Sequence, residues 1–184
     1  DETLAPGGPD PGKLGVYLYE SDGNGGYTHV WHWVTPDPGN SLPGMNYGDI
    51  DGDGNHEIYF GVPPSVGNNT NSWGTYIFEQ GADGVFPTTP TMLWQHANGA
   101  TGLTETDNFR PSSYQIADVD GDGKNELITT DRGMVHLTID ALVGNDLDDL
   151  ATMANEYFTG GDGGELDGGG IYDMDVVDFD GDGL

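Results

Sequence analysis

Three stretches of this chain set carboxylates at alternate positions with glycine between them: Asp49-Ile50-Asp51-Gly52-Asp53-Gly54, Asp118-Val119-Asp120-Gly121-Asp122-Gly123 and Asp178-Phe179-Asp180-Gly181-Asp182-Gly183. Like charges held a few ångströms apart repel strongly unless a cation sits among them. A hard divalent cation with oxygen ligands relieves that repulsion, and Ca2+ suits the donor set best. In the first loop the carboxylates of Asp49, Asp51 and Asp53 are joined by the backbone carbonyl of Asn55 and by Glu57. The second loop repeats the set with Asp118, Asp120, Asp122, the carbonyl of Lys124, and Glu126. The third supplies Asp178, Asp180 and Asp182 before the sequence stops at Leu184. With one water each full loop reaches the roughly 6–8 oxygens at about 2.3–2.6 Å that Ca2+ takes, whereas Mg2+ demands a stricter octahedron. The interleaved glycines allow the positive φ angles of so tight a turn.

Two other readings of these loops fail on residue type. A helix-flanked EF-hand needs Glu at its twelfth position, and that position holds Phe60 in the first loop and Thr129 in the second. A simple Asp-Gly turn needs one acid, not three alternating carboxylates followed by Glu57 or Glu126.

The elements that must hold such loops are short strands. From Lys13 onward, β-rich runs alternate with Gly, Asn and Asp turns, the pattern of an all-β domain. A second motif recurs: GVYLYESDG at Gly15, GTYIFEQGADG at Gly74 and the weaker GMVHLTIDA at Gly133, each 59 residues apart, while the acidic loops start 69 and 60 residues apart. Two markers with nearly one period predict a repeat architecture. The first full unit is expected to carry strands near Asn46–Gly48, Glu57–Val62, Thr75–Glu79 and Met92–His96. The second is expected at Tyr114–Ala117, Glu126–Thr130 and Met134–Ile139, with Asp146–Tyr157 reading as a short Asp-capped helix. Gly15–Glu20 and His29–Val34 would be the last two strands of an earlier unit. Units of this length, apolar on both faces, predict a β-propeller with about two complete four-stranded blades and two partial ones. Val30–Val34 (VWHWV), with no polar face, is expected to lie between two blades. Residues 1–14 are a Pro/Gly-rich linker or tail, and 15–184 the propeller segment, cut short at its C-terminal end. The start at Asp1 and the stop inside the third loop lead us to expect a piece of a longer protein.

The pattern D-x-D-G-D-G-x-x-E between an apolar strand and a second strand (IYFG, ELIT) resembles the calcium loop of FG-GAP or VCBS repeats, which build integrin-α-like propellers in secreted and surface proteins. The resemblance spans most of the chain from Gly15. Phe60-Gly61 matches the start of the FG-GAP name, but no Gly-Ala-Pro follows, and Glu57 and Glu126 stand where the family often has Asp. What the resemblance implies is a metal that stabilises each blade, not catalysis.

Composition narrows the function classes. Among 184 residues, 32 are acidic and 4 basic, a formal net charge of -28. Nucleic-acid binding and anionic-membrane binding both rely on clustered Lys and Arg and are disfavoured. Hydrophobic residues at 34% and aromatics at 10%, arranged in strand-like runs, argue against disorder. Cysteine is absent, so there is neither a disulfide framework nor a thiolate metal site. Millimolar calcium is an extracellular condition, which points to a secreted or cell-surface setting. No apolar run is long enough for direct membrane insertion. Trp31 and Trp94, at equivalent places in their units, are expected in the core, and Trp73, in a polar loop, is expected as an exposed contact. His29, His32, His56, His96 and His136 lack metal-ligand spacing, and Asn68-Asn69-Thr70 is a glycosylation sequon by chance composition. No nucleophile–base set, P-loop or dinucleotide fingerprint is present. The leading expectation is a calcium-stabilised extracellular module for adhesion, for carbohydrate or protein binding, or for self-assembly. The alternatives are the propeller of a polysaccharide-degrading enzyme, with acids such as Glu105, Asp107, Glu165 and Asp167 as candidates, and a subunit of an extracellular filament.

Overall fold

The computed structural model describes residues 13–37, 42, 44–63, 73–95, 110–131, 136–144, 146–157 and 173–178. Among the described residues ten strands run in chain order: β1 Gly15–Ser21, β2 Tyr27–Val34, β3 Met45–Gly48, β4 Glu57–Val62, β5 Gly74–Glu79, β6 Met92–Trp94, β7 Pro111–Ala117, β8 Glu126–Asp131, β9 His136–Leu142 and β10 Leu150–Tyr157. The fold is all-β. β1 and β2 form a hairpin, and β3–β6 and β7–β10 form two four-stranded meanders, every pairing antiparallel. Among the described residues no sheet closes on itself.

The sheets stack because the central strands are apolar on both faces. All six residues of β4 and five of the six in β5 are buried. Alternation then divides them by face. Ile58, Phe60, Val62, Tyr76 and Phe78 pack against Val16 and Trp31 of the hairpin. Tyr59 and Ile77, pointing the other way, pack with Tyr114, Leu127 and Leu142 of the third sheet. The first interface is an aromatic cluster in which Phe78 meets Trp31 edge-on at 5.1 Å and Phe60 in a stack at 5.7 Å. In the second, Tyr59 and Tyr114 meet edge-on at 5.7 Å, and the Tyr114 hydroxyl shares a 3.0 Å hydrogen bond with Thr75 Oγ1.

β3 and β7, the first strands of the two meanders, lie side by side. The Asn46 side-chain amide donates to the Tyr114 carbonyl at 2.7 Å. One unit later the Gln115 amide donates to the Met174 carbonyl at 3.3 Å. Asn46 and Gln115 each stand three residues before the first Asp of their loop, and each acceptor stands four residues before the first Asp of the next. The contact between units therefore repeats with the sequence motif. Gly61 lets this approach happen, since a Cβ there would overlap Pro111 Cγ.

Three expectations need correction. Asp146–Tyr157 is not a helix: a single 3-10 turn at Leu147–Asp149 leads into β10, and Asp146 makes no side-chain capping bond. Pairing with β9 along its whole length outweighs the local helix preference of DLDDLATMA, as tertiary context commonly does. Val30–Val34 is not buried on both faces, as β4 is: Trp31 is buried, but Val30 and His32 are exposed. Trp73 is buried rather than exposed, with Gln95 Nε2 donating to its backbone carbonyl at 2.7 Å. Trp31 and Trp94 do join the two cores, Trp94 as a partly buried member.

Candidate cation-binding loops

The first two acidic loops each connect the first and second strands of a meander, β3 to β4 and β7 to β8. Its shape follows from local bonding. Asp49 accepts the Gly52 amide at 2.7 Å and the Gly54 amide at 3.1 Å, Asp51 accepts the Asp53 amide at 3.3 Å, and Asp53 accepts the Asn55 amide at 2.6 Å. The second loop reproduces every one of these bonds: Asp118 with Gly121 at 2.7 Å and Gly123 at 2.9 Å, Asp120 with Asp122 at 3.1 Å, and Asp122 with Lys124 at 2.9 Å. Gly52, Gly54, Gly121 and Gly123 take φ of 74°, 92°, 79° and 88°, values that a side chain would strain. Two stretches far apart in sequence thus adopt one backbone because they share residue types at the same offsets.

The side chains converge. One oxygen each from Asp49, Asp51 and Asp53 lies within 4.8 Å of the others, and Asp118, Asp120 and Asp122 gather in the same way. Accepting an amide uses one lone pair of a carboxylate oxygen and leaves others for an ion, so the loop bonds and coordination are compatible. The two triplets could each hold a metal ion.

Glu57 and Glu126 lie outside these triplets and behave as a pair of their own. Both are buried, and each accepts the amide two residues into its loop, from Ile50 at 2.6 Å and from Val119 at 2.7 Å. Glu57 Oε1 is buried and makes no hydrogen bond. Burial pushes the Glu57 carboxyl up to about 8; the Ile50 amide works against this, and the charges of Asp51, Asp49 and Glu79 add to it. Glu126 is raised for the same reasons, burial first, with Asp120, Asp118 and Asp122 contributing. A fully buried carboxylate among other acids, with one oxygen unmet, fits a cation better than it fits a dry core.

The remaining ligand candidates divide. The Asn55 side chain donates to Asp53 Oδ2 at 2.7 Å, which steadies the end of the loop. The Lys124 ammonium donates to the Gly144 carbonyl. Asp178 is exposed at the end of the stretch 173–178, while Asp180 and Asp182 lie outside the described residues, as do the sequon at 68–70 and the acids Glu105, Asp107, Glu165 and Asp167. The His56 ring stacks on Tyr47 at 4.9 Å.

Sequence reasoning missed three contributors near the first loop. Asn125, the counterpart of His56, donates from its side chain to the Asp49 carbonyl at 2.9 Å and joins the two loops. Glu79 stands directly opposite Glu57 across β4–β5, and its carboxyl is raised by burial and by Asp51, Asp53 and Asp146. Counting back across the hairpin from Glu57 would have found Glu79; Asp146 has no such signal, because only the stacking of sheets brings it close. The β1–β2 turn also echoes the loops: Gly23 and Gly25 have φ of 75° and 93°, and Asp22 accepts the Asn24 amide at 2.8 Å.

Among the described residues no helix is long and apolar enough to cross a membrane. Comparison with protein-family models, with curated proteins and with solved structures returns no match to the chain.

Proposed function

We propose that this chain is a calcium-stabilised segment of a β-propeller of the FG-GAP/VCBS kind, working outside the cell as a binding, adhesive or assembly module. The observation that carries the metal reading is the convergence of three carboxylates within 4.8 Å in two loops of identical bonding, backed by the buried Glu57 with its unmet oxygen. All donors are oxygens, which favours a hard cation. The propeller reading draws on the stacked meanders and on the inter-unit amide bond that recurs from Asn46 to Gln115. The extracellular setting rests on the acidity of the chain and on the millimolar calcium that weak modules of this type need.

On this reading calcium ties the two strands at each loop and offsets their charge. Binding only to the folded chain stabilises it by about 2.7 kcal/mol per site when free ion is 100 times its Kd. At roughly 2–4 °C per kcal/mol for a chain of this size, excess chelator is expected to lower the melting temperature by several degrees. Coincident melts in calcium and in chelator, with no heat of calcium binding by calorimetry, would refute the metal reading.

A further inference from the structure

A cluster of rings on the β1–β2 hairpin belongs neither to the acidic loops nor to the cores. His29 and His32 stand three apart on β2, a spacing that puts side chains on opposite faces of a regular strand. The strand is not regular there. His29 pairs with Tyr19 and Trp31 with Leu18, so Val30 is an extra residue without a partner on β1. A β-bulge of this kind re-aims the side chains around it. Here it brings His29 and His32 to one face, across from Tyr19 and Tyr17. Val16, Leu18, Trp31 and Trp33 take the other face and pack with the second sheet. The two imidazoles are close: their ring centres lie 5.1 Å apart, with the planes inclined by 40°. Tyr17 stacks on His32 at 5.7 Å, and Tyr19 flanks His29 at 5.3 Å. Ring packing accounts for these contacts and leaves one atom over. His29 Nε2 is buried and makes no hydrogen bond, an arrangement that calls for a partner.

We infer that His29 and His32 chelate one divalent transition-metal ion of the zinc, nickel or copper class on the face of the hairpin turned away from the second sheet. Neutral imidazole is the commonest protein ligand for such ions. Two imidazoles on one tetrahedral ion, with metal–nitrogen bonds of about 2.0–2.1 Å, place their ring centres about 5 Å apart. The observed separation of 5.1 Å matches that spacing. His32 is exposed, so water has access to complete the shell. The flanking tyrosines hold the rings in place before the ion arrives, as the partners of metal-binding histidines do elsewhere. The donors also set this site apart from the acidic loops. Imidazole nitrogen suits zinc, copper and nickel, whereas carboxylate and carbonyl oxygen suit calcium and magnesium. A chain with a formal net charge of -28 draws both kinds of ion to its surface, and the ligand type then sorts them. An ion held here ties β2 together across its bulge, where the ladder with β1 is interrupted.

The test titrates the full chain with Zn2+ by calorimetry in excess calcium, which competes for the carboxylates. His32→Gln changes an exposed position and preserves folding, while His29→Phe keeps a ring among its aromatic neighbours. Each is expected to bind one Zn2+ fewer per chain, or to lose at least tenfold in affinity. His56→Gln and His136→Gln should leave that ion in place. In imidazole 1H–15N spectra the ring nitrogens of His29 and His32 should shift together, up to one equivalent of Zn2+. A wild type that takes up no Zn2+ in excess calcium overturns the site. So does a Zn2+ equivalent that survives in both hairpin variants, or spectra in which other histidines shift instead of these two. Calcium binding by the hairpin variants should match the wild type, so failure of this site leaves the reading of the acidic loops standing.

Discussion

Glu57→Gln separates the cost of a buried acid from the benefit of a bound ion. In the cation-free chain the Glu57 carboxyl titrates near 8 against an ordinary 4.5. A carboxyl raised on folding contributes stability below its unfolded pKa and loses it as pH rises toward the folded one, because in that window the folded chain must hold a proton that the unfolded chain has released. At pH 7 this is about 2.5 units, or about 3 kcal/mol at about 1.4 kcal/mol per unit. Gln removes that penalty, and its carbonyl can still accept the Ile50 amide that now bonds Oε2 at 2.6 Å. In chelator at pH 7 the variant should therefore melt higher than the wild type, by roughly 6–12 °C at 2–4 °C per kcal/mol.

Calcium should reverse the order. The variant lacks the carboxylate, so the gap between its melts with and without calcium narrows. The wild type must release the Glu57 proton when the ion binds, so its apparent affinity for calcium should rise close to tenfold per pH unit from pH 6 to 8 and level off above. The variant should show a flat profile over that range. Differential scanning calorimetry in chelator and in calcium, with titrations at pH 6, 7 and 8, reads both effects. The reasoning fails if Glu57→Gln lowers the melt equally in both buffers, or if the two proteins share one pH slope.

Other predictions follow from packing. Gly61→Ala should cost about 1–3 kcal/mol by overpacking, since its Cβ would overlap Pro111 Cγ and crowd the Tyr114 hydroxyl; the urea midpoint should fall in calcium and in chelator alike. Phe78→Ala removes the ring that Trp31, Trp33 and Phe60 all contact and should cost about 3–5 kcal/mol, with loss of near-ultraviolet circular dichroism. Asn46→Ala strands the Tyr114 carbonyl and should cost about 1–3 kcal/mol, visible as faster amide exchange in β3 and β7.

Much of this was readable in the residues, for physical reasons. A loop built by local bonds is fixed by residue type at short offsets, so both acidic loops and the strands flanking them were legible. β4 and β5 were legible as strands because β-branched and aromatic residues crowd them. β10 was not: its residues favour a helix locally, and only the ladder with β9 decides the matter. Trp73 misled because its neighbours in sequence are polar, whereas its neighbours in space are set by the edge of β5. The alternation in Val30–Val34 was hidden by residue type, since Val30 is apolar yet exposed. Asn125 was invisible as a tie to the first loop, because sheet stacking, not sequence, brings its side chain to the Asp49 carbonyl.

The balance of forces between the second and third sheets indicates what calcium does on this reading. Eight buried side chains, among them Ile50, Tyr59, Tyr114 and Leu127, close that interface, and fully burying one such side chain is worth about 1.5–3 kcal/mol. The amide bonds from Asn46 and Asn125 cross the same interface without using any net charge. Against them stand the acids of the first loop, where the protonation penalty of Glu57 alone is about 3 kcal/mol at pH 7. The apolar term is the larger, so the interface should form without metal, unlike a small zinc domain that unfolds when stripped. Calcium then adjusts the stability of an existing contact rather than creating it. Such a role tolerates weak binding, in the range of about 10⁻⁴–10⁻³ M seen for extracellular modules, because at about millimolar ion such a site is between about half and nine-tenths filled. A measured Kd far below a micromolar would contradict this balance and point to loops shaped for sensing calcium, not for holding sheets together.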